Sequence, residues 1–375
     1  MNPKVSFIVP CYRLGHLLAE CVQSILSQTY TDFEVLIMDD CSPDNTPEVG
    51  SSFGDARVRY VRNEPNLGHL RNYNKGIGLA QGEYIWLISA DDRLRCDYVL
   101  QRYVSLMDAH PEIGYAFCPG HGLHDSNDTG LLKWTAYRPQ DAILNGRHFL
   151  NDLLDDNFIL APSGMVRRRC YEHLGAFPED MPYGGDWYLW CLFALHYDVG
   201  YFAEPMVDYR IHDLSMTNTL RQQNIRACVE DDLILPWRIR REAERVGAIA
   251  VVRRARRAIA EQFSRALVSF SVRGATSSIS LNDFQERLGR VCDNILEEAE
   301  IASQVFELAA DRFYWRNEFA RSREMYWRAR QGRPLSMVLW AKLLLSIAGK
   351  PGMAIRKRMS SVRRKNDTQP QGLLA

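Results

Sequence analysis

Four apolar runs punctuate the first hundred residues: Val5 to Pro10, Phe33 to Asp40, Val58 to Asn63 and Glu83 to Asp92. Between the first two, Leu17, Leu18, Cys21, Val22, Ile25 and Leu26 fall at helical spacing; before the fourth, Leu70, Tyr73, Ile77 and Ala80 do the same. Strands alternating with amphipathic helices predict an α/β domain. The runs are nearly continuous in apolar character rather than alternating, which suits strands covered on both faces, as in a parallel sheet. A fifth run, Ile113 to Gly120, leads into a stretch rich in His, Asp, Asn and Gly, expected to be a loop over the sheet edge, before Leu160 to Arg168. From about Leu220 the pattern becomes Arg-rich and helical, with no further strand. The expected organisation is therefore an α/β domain at 1–219, a helical domain at 220–332 and a basic amphipathic tail at 333–375, disordered beyond Arg363.

Composition sharpens this picture. The chain has 375 residues, 46% of them hydrophobic and 11% aromatic, which excludes a disordered or collagenous chain and allows two or more cores. A formal net charge of zero hides an asymmetry: residues 1–215 hold 17 Lys+Arg against 29 Asp+Glu, and residues 216–375 hold the reverse. The basic half intersperses Arg with Glu and apolar positions and carries no recognition motif, so no nucleic-acid partner is expected. Nine Cys with no CxxC pair, and an N-terminus that runs into a strand without a signal-peptide pattern, predict free thiols and a cytoplasmic location. The apolar stretch Leu335 to Gly349 is interrupted by Lys342 and falls short of the ~20 residues a bilayer span needs. Residues 333–365 nevertheless hold nine Lys+Arg and no acid, the composition of a peripheral anchor on an anionic membrane surface. A terminal helix docked on the acidic half of the chain is the alternative.

Candidate chemistry sits where the runs end. In open α/β sheets ligands bind beyond the carboxyl ends of the strands, and here two runs finish in acid pairs, Asp39-Asp40 and Asp91-Asp92. Adjacent carboxylates repel, a cost that a divalent cation or a ligand's hydroxyls and amides offset. Turn and capping chemistry is the competing explanation for such Asp residues.

Five segments in order, VSFIVPCYR, SILSQTYTDFEVLIMDDCSPDNT, NLGHLRNYNKGIGLAQGEYIWLISADD, GAFPEDMPYGGDWYLW and YRIHDLSMT, resemble the family 2 glycosyltransferases over roughly residues 3–217. The resemblance implies a GT-A fold, a single Rossmann-like nucleotide-sugar-binding domain, followed here by helical sequence outside the resemblance. It implies that Pro10 and Tyr12 line the nucleobase pocket, that Asp40 accepts a hydrogen bond from the base, favouring uracil, and that Gly68 and Arg71 approach the donor. Asp91 would hold the ribose, while Asp92 with His212 would coordinate Mn²⁺ or Mg²⁺ on the diphosphate. Asp186 would be the general base of an inverting transfer to a glycan or lipid-linked acceptor. Two positions depart from the family pattern: Ser89 and Gly185 stand where many relatives carry an acid. The Q-x-x-R-W segment of processive synthases is absent from the sequence, which points to transfer of one sugar. Two other readings remain, a GT-A protein that binds without catalysis, and a sugar nucleotidyltransferase. CYRLGHLL, with one Gly and no Lys, lacks the phosphate loop that the second requires.

Overall fold

The computed structural model describes residues 2–124, 127–213, 215–273 and 281–357. The strands are β1 (Val5–Cys11), β2 (Phe33–Asp39), β3 (Val58–Arg62), β4 (Tyr84–Leu87), β5 (Arg93–Leu94), β6 (Ile113–Phe117), β7 (Gly120–His124), β8 (Asn127–Leu131), β9 (Ala142–Leu144), β10 (Met165–Arg167), β11 (Asp198–Tyr201) and β12 (Val207–Arg210). The first seven helices are α1 (Gly15–Leu26), α2 (Thr46–Ser51), α3 (His69–Leu79), α4 (Val99–Ala109), α5 (Gly146–Leu153), α6 (Arg168–Leu174) and α7 (Gly185–His196). They are followed by α8 (Met216–Gln223), α9 (Ile225–Arg245), α10 (Ile249–Arg273), α11 (Leu281–Val291), α12 (Ile295–Trp315), α13 (Phe319–Gly332) and α14 (Met337–Ile347).

The predicted apolar runs enter an eight-stranded sheet ordered β3-β2-β1-β4-β10-β6-β11-β9, with β1, β2 and β4 inside it and β3 at its edge. β1 pairs in parallel with both β2 and β4, which aligns the ends of the acid-bearing strands. In β1 and β2 continuous apolar character reflects burial on both faces, as expected, whereas β3 is only partly buried. Phe7 and Val9 join Leu18, Val22 and Ile25 of α1 in the main core. On the opposite face Ile8 meets α3 so closely that a Cβ on Gly76 would lie 2.6 Å from Ile8 Cγ2, which makes glycine the residue for that crossing. Each such buried side chain contributes about 1.5–3 kcal/mol.

Two expectations change. The sheet is mixed, because β10 lies antiparallel between β4 and β6. The polar stretch after Gly120 is not simply a loop: it supplies β7, β8, β9 and α5, and β7 and β8 form a second sheet with β5 and β12. β8 is almost wholly exposed, so its sequence carries no apolar signal. β7 pairs in parallel with β12, roughly 85 positions later, and local pattern cannot anticipate such a partner.

The chain forms two compact units, one of residues 1–231 and 239–252, the other of residues 232–238 and 253–375. Residue 220, where the sequence changes texture, lies within α8. The second unit is helical, and its core joins Val268, Phe313, Met325, Tyr326, Leu339 and Leu343. The basic segment after residue 332 is thus partly structural: Arg333 and Lys342 pair with Glu307, and Lys342 and Arg356 with Asp311, all within this unit. Arg358, Arg363, Arg364 and Lys365 lie outside the described residues. None of the nine cysteines is in a disulfide. Among the described residues no helix is long and apolar enough to cross a membrane.

Candidate active site

The ends of β1 and β2 are tied together by the Asp40 N–H, which donates to the Cys11 carbonyl at 2.9 Å. Both chains then turn through left-handed residues, Arg13 at φ 61° and Cys41 at φ 62°. Asp39 is buried and accepts from Tyr60 Oη at 2.5 Å, Arg62 Nη1 at 2.6 Å and the Ser42 N–H at 2.8 Å. Asp40, expected to face a nucleobase, is 3% exposed. Its carboxylate accepts from Asn63 Nδ2 at 2.9 Å and from the Leu67 and Gly68 N–H groups at 2.8 and 2.9 Å. A buried carboxylate needs donors, and the start of α3 has unpaired N–H groups to give. In this structure Asp40 therefore shapes the loop 66–68. Gly68 takes φ +81°, and no atom lies within 4 Å of a Cβ built there, so glycine serves backbone conformation and not space.

The other donor-side residues spread out. Pro10 is buried and its carbonyl accepts from the Ala90 N–H at 3.1 Å. Tyr12 is exposed, with the Arg13 guanidinium 5.2 Å from its ring centre. The Arg71 side chain is 64% exposed and its Nε donates to Glu179 Oε2 at 2.7 Å, a surface ion pair of little energetic weight.

The turn after β4 carries the second acid pair, closed by the Asp92 N–H donating to the Ser89 carbonyl at 2.9 Å. The two acids face different partners. Asp91 Oδ2 lies 2.9 Å from His212 Nε2, while Asp91 Oδ1 is buried without a hydrogen bond. Asp92, 4% exposed, accepts the Arg210 N–H at 2.9 Å, and Arg210 Nε donates to the Asp91 carbonyl at 2.8 Å. Burial, then the neighbouring Asp91, pushes the Asp92 carboxyl well above the usual carboxylate range. The sequence expectation paired Asp92 with His212; the structure brings Asp91 and His212 together and turns Asp92 to the backbone of β12.

Among the described residues no three His, Cys, Asp or Glu side chains gather to hold an ion by themselves. Asp91 and His212 nevertheless fit a divalent cation shared with a diphosphate. An orphaned carboxylate oxygen and an adjacent imidazole supply two donors, and phosphate oxygens and water complete such sites.

Asp186 lies in the first turn of α7. The N-cap is Gly184, so Asp186 does not cap the helix; its Oδ1 accepts the next N–H, of Trp187, at 2.6 Å. Burial raises its pKa to about 6, partly offset by the Trp187 N–H and the Asn157 side chain. A Cβ on Gly185 would meet Phe177 and Leu70 only at ordinary contact distances of 3.4 and 3.6 Å, so packing does not demand glycine there. The approach to α7 is anchored on α3, where Asn74 exchanges two 2.9 Å hydrogen bonds with the Phe177 backbone and His69 Nε2 lies 2.9 Å from the Pro182 carbonyl.

These anchors set Phe177 against Tyr73, with ring centres 5.3 Å apart. Burial, followed by the carboxylates of Asp91, Asp186, Asp92 and Asp40, pushes the Tyr73 phenol far above its ordinary pKa. Tyr209 is pushed up to about 12 by burial and by Asp92, Asp91 and Asp186.

Sequence reasoning passed over four participants. Tyr73 and Tyr209 look like core aromatics, Arg210 sits in the YRIH segment without a distinctive signal, and Asp231 lies in α9. Asp231 Oδ2 accepts the Tyr183 and Gly184 N–H groups at 2.7 and 2.8 Å, holding the backbone directly before Asp186.

Residues 6–175 match the model of Glycosyl transferase family 2. An uncharacterised glycosyltransferase of Rickettsia typhi is 26% identical over 225 residues, 59% of this chain and 68% of that protein. Glycosyltransferase GlyG of Streptococcus pneumoniae is 38% identical over 118 residues, 30% of this chain and only 39% of its own length. The crystal structure of S. aureus TarS 1–349 in complex with UDP-GlcNAc is similar with a TM-score of 0.60 and 15% identity, over 86% of this chain and 89% of that one, a likeness of fold. Strand order, acid-bearing strand ends and these relatives agree with that match: residues 6–175 are similar to the family 2 glycosyltransferases.

Proposed function

We propose that the protein moves one sugar from a nucleoside diphosphate sugar, with UDP as its nucleotide, to a hydroxyl of a glycan or lipid-linked acceptor in the making of cell-surface polysaccharide. The observation that carries this reading is the pairing of Asp91 with His212 after the acid-bearing strand β4, with one Asp91 oxygen buried and unbonded. The fold neighbour solved with UDP-GlcNAc supports a UDP donor.

Asp186 takes the proton of the acceptor hydroxyl as that oxygen attacks the anomeric carbon. With a pKa of about 6 it is ionised at neutral pH yet more basic than an ordinary carboxylate, which suits a general base. The attack is in line with the departing nucleoside diphosphate, and a single displacement inverts the anomeric centre. Asp91 and His212 would hold Mn²⁺ or Mg²⁺, which would supply stabilisation of the charge on the leaving diphosphate. Asp92 and Arg210 fix the turn from which Asp91 projects. Asp40 acts indirectly, by holding the loop 66–68 on which α3 begins.

A panel of nucleotide sugars incubated with Mn²⁺ or Mg²⁺, read as released nucleoside diphosphate, tests the reading. A UDP-sugar is expected to turn over in the presence of metal and acceptor glycan. Release from no donor of the panel overturns it.

A further inference from the structure

Helix α14 presents two apolar faces. Leu339 and Leu343 are buried in the core of the helical unit, beside Phe313, Met325 and Tyr326. Outside that buried stripe Met337, Val338, Leu344 and Ile347 are 79, 61, 62 and 61% exposed. A surface helix ordinarily turns charged or polar residues outward, so this face is built to be covered. Beside it the Arg330 guanidinium lies 4.1 Å from the ring centres of both Trp327 and Trp340. Both indoles are partly exposed. A cation held between amphipathic rings at the rim of an apolar face suits the level of lipid headgroups.

Charge selects the occupant. From residue 333 to residue 365 the chain holds nine Lys+Arg and no acid. The nearest acids of α12, Glu307 and Asp311, are already neutralised by Arg333, Lys342 and Arg356. Two copies meeting through this face would set like charge against like, whereas an anionic bilayer meets apolar face and basic flank together. We infer that the outer face of α14 seats in the interfacial layer of an anionic membrane, with Trp327, Arg330 and Trp340 at headgroup depth. At 11 residues, about 16 Å, the helix lies in the interface and does not cross it. This deepens the proposed function by naming the surface on which a lipid-linked acceptor would be met.

The test uses the full chain and vesicles of phosphatidylglycerol with phosphatidylcholine, or of phosphatidylcholine alone, in a sedimentation assay. Binding is expected to the anionic vesicles, at least fivefold weaker to the neutral ones, and reduced at high salt. The double variant Leu344→Glu with Ile347→Glu, both at solvent-facing positions, is expected to lose about tenfold or more in vesicle affinity while keeping its melting temperature and UDP affinity. Lys350→Glu, also exposed, is expected to weaken anionic binding alone. Unchanged vesicle binding by the double variant overturns the inference. So does a wild-type dimer in light scattering that the double variant dissolves without any vesicle binding, which assigns the face to a second copy. Neither result bears on sugar transfer, and loss of transfer with intact vesicle binding would refute the proposed function instead.

Discussion

His212 Nε2 lies 2.9 Å from Asp91 Oδ2, joining the residues after β12 to the turn after β4 across more than a hundred positions of sequence. The contact decides which acid of the Asp91-Asp92 pair is available for chemistry. Asp92 spends its Oδ1 on the Arg210 N–H, and Asp91 keeps one buried oxygen unbonded.

The first prediction follows directly. UDP with Mn²⁺ is expected to raise the melting temperature more than UDP alone, since a ligand that binds only the folded state stabilises it, by about 2.7 kcal/mol at a hundredfold excess over Kd. Asp91→Asn and His212→Ala are expected to abolish the metal-dependent part of that rise. Asp92→Asn, which retains an acceptor for the Arg210 N–H, is expected to keep it. Loss of the metal effect in Asp92→Asn alone, with Asp91→Asn unaffected, would reverse the assignment.

Asp186 supplies a second prediction through linkage. Its folded pKa of about 6 exceeds the unfolded value of 3.8, so the folded state binds the proton more tightly. The sign is therefore opposite to that of a salt-bridged carboxylate: stability is full below about pH 4 and is lost as pH rises through 6. At pH 7 the ionised group costs on the order of 3 kcal/mol. Asp186→Asn, which keeps an oxygen for the Trp187 N–H, is expected to raise the melting temperature at pH 7.5 and to change it little at pH 4.5. An equal shift at both pH values would remove the buried charge from the account.

Asp231 gives a third. Its carboxylate holds the two N–H groups that precede Asp186, from a helix well beyond the matched family region. Asp231→Ala strands both donors, a cost on the order of 2 kcal/mol, and lets the start of α7 shift. The acceptor-dependent rate is expected to fall at least tenfold with UDP affinity within twofold of wild type. Asp231→Asn, which still offers an oxygen, is expected to recover much of the rate. Unchanged kinetics in Asp231→Ala would make the contact purely structural.

The legibility of this molecule in its sequence follows the range of the interactions. Val5 to Cys11 and Phe33 to Asp39 announce themselves because a strand covered on both faces must be apolar throughout, and Leu18, Val22 and Ile25 because a helix on a sheet needs one apolar stripe. The second sheet did not, since Val207 finds Gly120 only after the fold has formed, and Asn127 to Leu131 has an exposed, polar surface. The same division runs through the site. Asp40, Asp91 and Asp186 are visible as acids where strands end and a helix begins. Which carboxylate oxygen is spent on a backbone N–H depends on distant partners, Arg210 for Asp92 and the Leu67 and Gly68 N–H groups for Asp40, and no local pattern records it. Tyr73 shares its helical spacing with ordinary core residues, and only the surrounding acids distinguish it.

The central claim is that Asp186 is the base acting on the acceptor, at a site whose nucleotide end is independent of it. The most direct measurement compares wild type and Asp186→Asn for UDP affinity and for acceptor-dependent release of UDP from the donor sugar, with metal present. The account predicts UDP affinity within about twofold and a rate lower by roughly a hundredfold or more, the usual loss on removing a general base. Turnover by Asp186→Asn within about threefold of wild type, well short of that loss, would contradict it.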